Sequence, residues 1–341
     1  MERLRLEDVT ETVWDRYVAS HPQGTLFHRS VWRRIVERCF GHRPHYLAVA
    51  EDGVLRGVLP LFEIRSRLFG HSLVSVPLGV YGGICADTAD AERVLLEAAR
   101  DLARRLDVDY VELRHTQANG FGLPTKDLYV TFKRALDPEV ERNFLAIPRK
   151  ARRMIRLGMR NGLTAAFEND AVDTFYDIYA ESVRNLGTPV FPRAYFRSLR
   201  DALGEACRIL LVRRNGEAVA GVMTFYDRGA VMPYYGGAKR WAFRYAVNDY
   251  MYWELMKRGC EEGYRWFDFG RSKKNSGSFH FKRHWGFVPV DLPYQYILGR
   301  SRTVPDVSPN NPRYRLFIGI WKRLPLRVTQ WLGPKIARNI P

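Results

Sequence analysis

The sequence predicts an α/β fold of two tandem units of one design, each a mixed sheet flanked by helices. Three observations carry this. Asp52-Gly53 and Asn215-Gly216 each divide an apolar run, HYLAVAEDGVLRGVLPLF at 45–62 and RILLVRRNGEAVAGVMTFY at 208–226. Asp-Gly and Asn-Gly in that setting mark hairpins, whose tightest turns need positive φ at both central residues. Tyr81-Gly82-Gly83 recurs as Tyr235-Gly236-Gly237. Each copy then runs through a helical stretch, 89–106 or 246–262, into a short apolar strand beginning at Asp109 or Trp266.

Upstream, TLFHRSVWRRI in the first half resembles PVFPRAYFRSL in the second. The separations run from 154 residues (81 to 235) to 164 (25 to 189), with the order kept. A constant order at a near-constant spacing is the mark of a duplicated unit. The length of 341 residues suits two domains. The expected division is 1–137 for the first domain, 138–163 for a connecting basic helix, 164–300 for the second domain and 301–341 for a basic tail. Pro138 opens the connecting helix, and Gly158 and Gly162 mark its end. Pro325 and Pro334 cut the tail into short pieces.

Composition narrows the function. A hydrophobic fraction of 46% and a charged fraction of 27% exclude a disordered chain or a collagen-like fibre. The four cysteines, Cys39, Cys85, Cys207 and Cys260, form no C-x-x-C pair, which points away from zinc sites and disulfide scaffolds. No secretory leader and no long apolar run are visible, so a cytoplasmic location is expected. The net charge of +17 points to a polyanionic partner. That charge is concentrated. Residues 148–160 carry six basic residues and no acid, the loop 271–284 carries five and no acid, and 300–341 carries nine with only Asp306 opposing them. The aromatic-basic tail 310–338 is a candidate for peripheral contact with an anionic membrane face.

Candidate chemistry concentrates in YRWFDFGRSKKNSGSFHFKRHWGF at 264–287. Asp268 ends an apolar strand, where a carboxylate can orient an attacking amine or accept its proton. Arg271, Lys273 and Arg283 can clamp phosphate or carboxylate. Lys282 has aromatic neighbours to hold its stem. Tyr234 and Tyr235, at the end of a strand, are expected to line the same pocket. His42-x-x-His45 and His280-x-x-x-His284 lack an obvious third ligand, so no metal site is expected. No phosphate-binding loop or nucleophile elbow is present.

Three stretches resemble a known family: Ile147-Pro148-Arg149-Lys150-Ala151-Arg152-Arg153-Met154-Ile155-Arg156, Phe267-Asp268-Phe269-Gly270-Arg271-Ser272, and Phe281-Lys282-Arg283-His284-Trp285-Gly286. They are similar to the Fem aminoacyltransferases and their acetyltransferase-like relatives of the GNAT superfamily. Within that group the chain most resembles FemAB-like proteins associated with exosortase/PEP-CTERM and exopolysaccharide systems. The resemblance implies two GNAT-like domains and acyl transfer to an amine, without a metal, a covalent enzyme intermediate or a permanently bound cofactor. The donor would be aminoacyl-tRNA or acyl-CoA. Lys282 would lie near the acceptor's phosphates, and Arg149, Lys150, Arg152 and Arg153 would hold a polyanionic donor or acceptor.

Two departures stand out. The stretch Arg240–Ala246 lacks the glycines of a GNAT pyrophosphate loop, which puts backbone N–H groups on phosphates. The long coiled-coil arm of some Fem enzymes is absent. The expected function is therefore an acyltransferase forming an amide on an amino sugar or peptide in exopolysaccharide or cell-surface assembly. The alternative is a non-catalytic protein of the same fold that binds RNA or an anionic membrane. The strand Asp109–Arg114 is followed by no Gly-rich basic loop, so the first copy is expected to be mainly structural.

Overall fold

The computed structural model describes residues 1–5, 8–66, 69–117, 119–305 and 312–339. The chain forms two compact units, Met1–Tyr129 with 291–305, and Val130–Val290 with 312–338. This division differs from the boundaries drawn on the sequence. Strand Tyr294–Leu298, expected in the second domain, pairs with Tyr110–Arg114 of unit 1. The expected connecting helix contributes Ile147, Ala151 and Ile155 to the core of unit 2. Residues 306–311, part of the expected tail, lie outside the described residues.

In unit 1, strands β1 (Leu47–Glu51) and β2 (Val54–Leu59) form the first predicted hairpin. Asp52 and Gly53 take φ of 51° and 74°. Strand β3 (Gly70–Ser75), helix α1 (Ala89–Leu106) and strand β4 (Tyr110–Arg114) follow. Thr88 caps α1 by accepting from the Ala91 N–H, and Asp107 ends it in the left-handed region. The stripe Ala91, Leu95, Ala99 and Leu102 recurs at helical spacing and packs on Val49, Leu59, Leu73 and Val111. Strands β3 and β4 are parallel and stay paired from Ser72 opposite Tyr110 to Ser75 opposite Leu113.

After the strand Lys133–Ala135, unit 2 has two helices where the sequence suggests one. Val140–Ala146 stops at Ile147, which is extended (φ −76°, ψ 133°), and α2 (Arg149–Arg160) starts after Pro148. Proline bars the preceding residue from the helical region, so the chain bends there. Strand β5 (Leu163–Phe167), helices α3 (Val172–Leu186) and α4 (Arg193–Leu203), strands β6 (Cys207–Arg214), β7 (Glu217–Asp227) and β8 (Ala230–Ala238), helix α5 (Val247–Glu261), strand β9 (Trp266–Asp268) and helix α6 (Gly277–His284) complete the unit. The sheet order is Lys133–Ala135, β9, β8, β7, β6, β5. Asn215 and Gly216, at φ 51° and 81°, turn β6 into β7 as the second predicted hairpin.

Helices α2 and α5 cover one face of this sheet, with Ile155 of α2 and Met256 of α5 in one core with Val222, Val231 and Phe267 of the strands. Helices α3 and α4 bring an aromatic cluster of Phe175, Tyr179, Tyr195 and Phe196 to Tyr235 on β8. The two tyrosine-glycine-glycine copies part company here. Tyr235-Gly236-Gly237 lies within β8, whereas Tyr81-Gly82-Gly83 lies outside any strand. Gly82 is required by contact, since a Cβ there would sit 2.2 Å from the Ser75 carbonyl oxygen. Helices α7 (Pro312–Trp321) and α8 (Leu326–Ala337) follow, with α8 against α3.

Candidate active site

The sheet of unit 2 opens between β8 and β9. These parallel strands pair only at Ala230 opposite Trp266 and Val231 opposite Phe267. Strand β8 runs on to Ala238, while β9 ends at Asp268, so the two part at the carboxyl end of the sheet. On its other edge β8 carries a bulge, with Met223 opposite Tyr235 and Thr224 opposite Pro233. Tyr234 is the extra residue, and such an insertion bends and twists a strand. Gly236 and Gly237 serve packing on opposite faces. A Cβ on Gly236 would lie 2.8 Å from the Tyr252 hydroxyl of α5, and one on Gly237 would lie 2.9 Å from the Ser182 Cβ of α3.

The far side of the opening is the turn after β9. Asp268 is buried, and its Oδ1 accepts the Gly270 N–H at 2.8 Å. Lys282 comes down from α6 with only 7% of its surface exposed. Its Nζ donates to three carbonyls, Phe269 at 2.7 Å, Gly270 at 3.0 Å and Arg271 at 3.2 Å. The ammonium lies over the Phe132 and Phe269 rings at 5.5 and 5.8 Å, and neither is a neighbour of Lys282 along the chain. Its head turns inward, onto the backbone. Burial pushes the Lys282 ammonium down to about 7, with the Asp268 carboxylate pulling the other way.

The other predicted residues separate. Tyr235 points away from the opening, its hydroxyl 2.9 Å from that of Tyr195 within the α3–α4 cluster. Tyr234 is half-buried, with its ring 4.8 Å from Phe225. Arg271 and Lys273 are half-buried and Arg283 is exposed, near the Phe279 ring. Residues with no local signature build the wall. Tyr252 stands between Gly236 and the Phe269, Phe281 and Trp285 rings. Trp285 Nε1 donates to Asp249 Oδ1 at 3.0 Å, and burial raises the Asp249 carboxyl above its ordinary range.

Helix α2 lies against α5, with Gly158 so close to Tyr250 that a Cβ would meet its side chain at 2.7 Å. The opposite side of α2 is a groove of ≈ 860 Å³ lined by Arg149, Lys150, Arg153, Arg156, Met159 and Arg160. Arg149, Arg153, Arg156 and Arg160 recur at helical spacing, so one face carries them all. Arg152 falls off that face and is half-buried. Arg156, at the end of the basic stretch 149–156, and Arg160 beyond it also line the groove, and the same helical spacing carried on from Arg153 finds both. The stretch Arg240–Tyr245 forms a 3-10 helix ahead of α5, and Ala246 takes φ 58°. No group of three potential metal ligands occurs among the described residues.

Residues 146–283 match the family model for the acetyltransferase (GNAT) domain. Unit 2 contains a GNAT-like domain. Over its whole length the chain is similar to a lipid II:glycine glycyltransferase of Staphylococcus haemolyticus (strain JCSC1435), at 22% identity over 95% of this chain and 97% of that protein. A Staphylococcus aureus lipid II:glycine glycyltransferase is 24% identical over 60% of this chain, and the match spans 53% of that protein. Among solved structures, FemX superposes with a TM-score of 0.67 at 17% identity, over 93% of this chain and 100% of that one. A tandem GNAT protein from the clavulanic acid biosynthesis pathway gives 0.57 at 13% identity, over 89% and 99%. The α/β fold of two tandem GNAT-like domains is thereby borne out. The likeness is to transferases of the GNAT and Fem type.

Proposed function

We propose that the protein is an N-acyltransferase that forms an amide on an amine acceptor, an amino sugar or a peptide, in exopolysaccharide or cell-surface assembly. The observation that carries this reading is the opening between β8 and β9 within a GNAT-like domain. An acyl group lying there meets the β8 edge beyond Val231, which has left its ladder with β9. Backbone N–H groups on such an edge can stabilise the developing oxyanion, each good donor contributing ~3–4 kcal/mol. The amine nitrogen attacks the acyl carbon, the acyl–oxygen or acyl–sulfur bond to the donor breaks, and the amine gives up one proton. Asp268 orients the amine or takes that proton. Lys282 acts through the backbone, tying the carbonyls of 269–271 into one turn.

The cationic groove on α2 favours aminoacyl-tRNA as donor, because a chain of phosphates suits the five cations that line it. Acyl-CoA is the second reading, supported by the acetyltransferase domain match and opposed by the glycine-free turn Arg240–Tyr245. Association with exosortase/PEP-CTERM systems and work at the cytoplasmic side of the membrane belong to the same proposal.

Thermal shifts with CoA, acetyl-CoA, aminoacyl-tRNA and uncharged tRNA, at low and moderate salt, test the donor. A ligand at 100 times its Kd adds ~2.7 kcal/mol of stability. A larger shift with aminoacyl-tRNA than with uncharged tRNA supports the first reading. A salt-resistant shift with CoA species alone replaces it with the second. Equal shifts for charged and uncharged tRNA, lost in salt, point to a polyanion-binding protein without turnover.

A further inference from the structure

We infer that the helical pair α7–α8 is a membrane-docking surface for anionic lipid headgroups. Both helices are anchored to unit 2 on one side. Trp321, Thr329, Gly333 and Ala337 are buried. Ile318 and Lys322 close on Gly187, Arg184 Nη1 donates to the Leu324 carbonyl at 3.1 Å, and Gln330 Nε2 donates to Asp177 Oδ1 at 3.0 Å. Gly333 fits only as glycine, since a Cβ would lie 2.9 Å from the backbone of Val190. The exposure of the remaining side chains is therefore set by docked helices.

What those helices leave in solvent is unusual for a protein surface. Leu316 is 76% exposed, Trp331 63% and Ile320 53%, with Phe317 and Val328 also exposed. Around them stand the exposed cations Lys322, Arg323, Arg327, Lys335 and Arg338, and the sequence from 312 to 339 contains no Asp or Glu. Lys335 Nζ lies 3.8 Å from the centroid of the Trp331 ring, so an aromatic side chain and a cation share one spot. Large apolar side chains interleaved with cations suit the boundary between headgroups and acyl chains. At 10 and 12 residues the helices are too short to cross a bilayer, and no helix among the described residues is long and apolar enough to do so. They would lie on the surface.

Charge selects among possible occupants. A second copy would bring the same cations against these, and like charges at an interface oppose docking. An anionic bilayer takes both components, the apolar side chains below the headgroups and the cations among the phosphates. This inference does not rest on the proposed activity. An acyltransferase and a plain polyanion binder would dock alike.

The test is co-sedimentation of the full chain with vesicles of phosphatidylcholine alone and with about one-third phosphatidylglycerol. The expected result is strong partitioning to the anionic vesicles only. Leu316→Ser/Ile320→Ser/Trp331→Ser keeps every charge and should lower that partitioning at least ~10-fold, given the apolar surface removed from the interface. Lys322→Gln/Arg323→Gln/Arg338→Gln should lower it by about fivefold per cation. All six positions are exposed, and circular dichroism checks that both variants stay folded. Wild-type partitioning by the apolar triple variant would overturn the inference, because adsorption would then come from charge elsewhere, such as the α2 groove. A dimer that the same variant dissociates, with no vesicle binding by wild type, would overturn it in favour of self-association.

Discussion

Replacing Lys282 by methionine separates two forces that act on one buried amine. Burial disfavours the ammonium, and removing a charge of that size from water costs several kcal/mol even after relaxation. The three carbonyls of Phe269, Gly270 and Arg271 favour it. Deprotonation does not forfeit all three bonds, because the neutral amine keeps two N–H donors. It gives up one charge-assisted bond, ~1.5–3 kcal/mol, which is less than the desolvation cost. Burial therefore wins, and the amine titrates near 7 against 10.5 for a free lysine. The sign for stability follows. Between those two values the unfolded chain binds a proton that the folded one does not, so stability rises with pH across that window. At ~1.4 kcal/mol per pH unit, the full rise approaches ~4–5 kcal/mol. Methionine has nothing to titrate. Urea unfolding of both proteins, followed from neutral to alkaline pH, should give a wild-type advantage that grows with pH. Lysine labelled with 13C at Cε should show one resonance titrating near 7 that the variant lacks. A flat or shrinking difference, with every lysine titrating in the ordinary range, would refute the reasoning and make the carbonyl cradle the stronger force.

Other expectations follow from single contacts. Gly237→Ala pushes a methyl group to 2.9 Å from Ser182 Cβ and 3.1 Å from the Tyr179 backbone, so thermal unfolding should reveal a loss of ~1–3 kcal/mol. Asp268→Asn keeps an acceptor for the Gly270 N–H, and circular dichroism checks that the variant stays folded. The same change should lower acyl transfer ~100-fold or more if the carboxylate handles the proton, and undiminished turnover would remove Asp268 from the chemistry. Arg153→Glu/Arg156→Glu should weaken tRNA binding and flatten its dependence on salt, as filter binding would measure; an unchanged salt slope would clear the groove of that role. In unit 1, burial works against the Glu63 carboxylate, but hydrogen bonds from His45, Arg65 and His71 outweigh it and hold it down at about 2. Its contribution is complete above 4.5 and is lost as pH falls through about 2, and Glu63→Gln should remove that acid limb from the melting curve.

Features that a local stretch dictates were legible in the sequence. Both hairpin turns could be read because Asp52-Gly53 and Asn215-Gly216 accept the positive φ that such a turn demands. The groove on α2 could be half read, since a period of 3.6 puts Arg149 and Arg153 on one face and carries on to Arg156 and Arg160. The bend at Pro148 is equally local, since proline keeps Ile147 out of the helical region. The head of Lys282 is different. Its three acceptors come from residues 269–271 and the rings near its ammonium from Phe132 and Phe269, and only the fold brings them together. Tyr252 and Asp249 carry no signal at all, because their meaning depends on what α5 faces.

The opening itself illustrates why a repeat in sequence does not guarantee a repeat of the site. Both units run a helix into a strand parallel to an earlier one. In unit 1 the pair β3–β4 stays laddered to Ser75 opposite Leu113, and the segment after β3 then folds back over the strand ends. Gly82 N–H donates to the Arg114 carbonyl at 2.8 Å, Gly83 N–H to Ser75 Oγ at 3.0 Å, and Arg114 Nη1 to the carbonyls of Val76 and Gly79, both at 2.7 Å. The backbone groups at that end are thus spent on the protein's own chain. In unit 2 the pair parts after Val231 opposite Phe267, and no segment folds between β8 and α5 except the short turn Arg240–Tyr245. The tyrosine-glycine-glycine tripeptide sits on the closing segment in one unit and in the open strand in the other. Matching the two copies by that tripeptide finds the duplication and misplaces the strand. What distinguishes a filled strand end from an open one is which backbone groups remain for a ligand, and that depends on pairing between residues far apart in the chain.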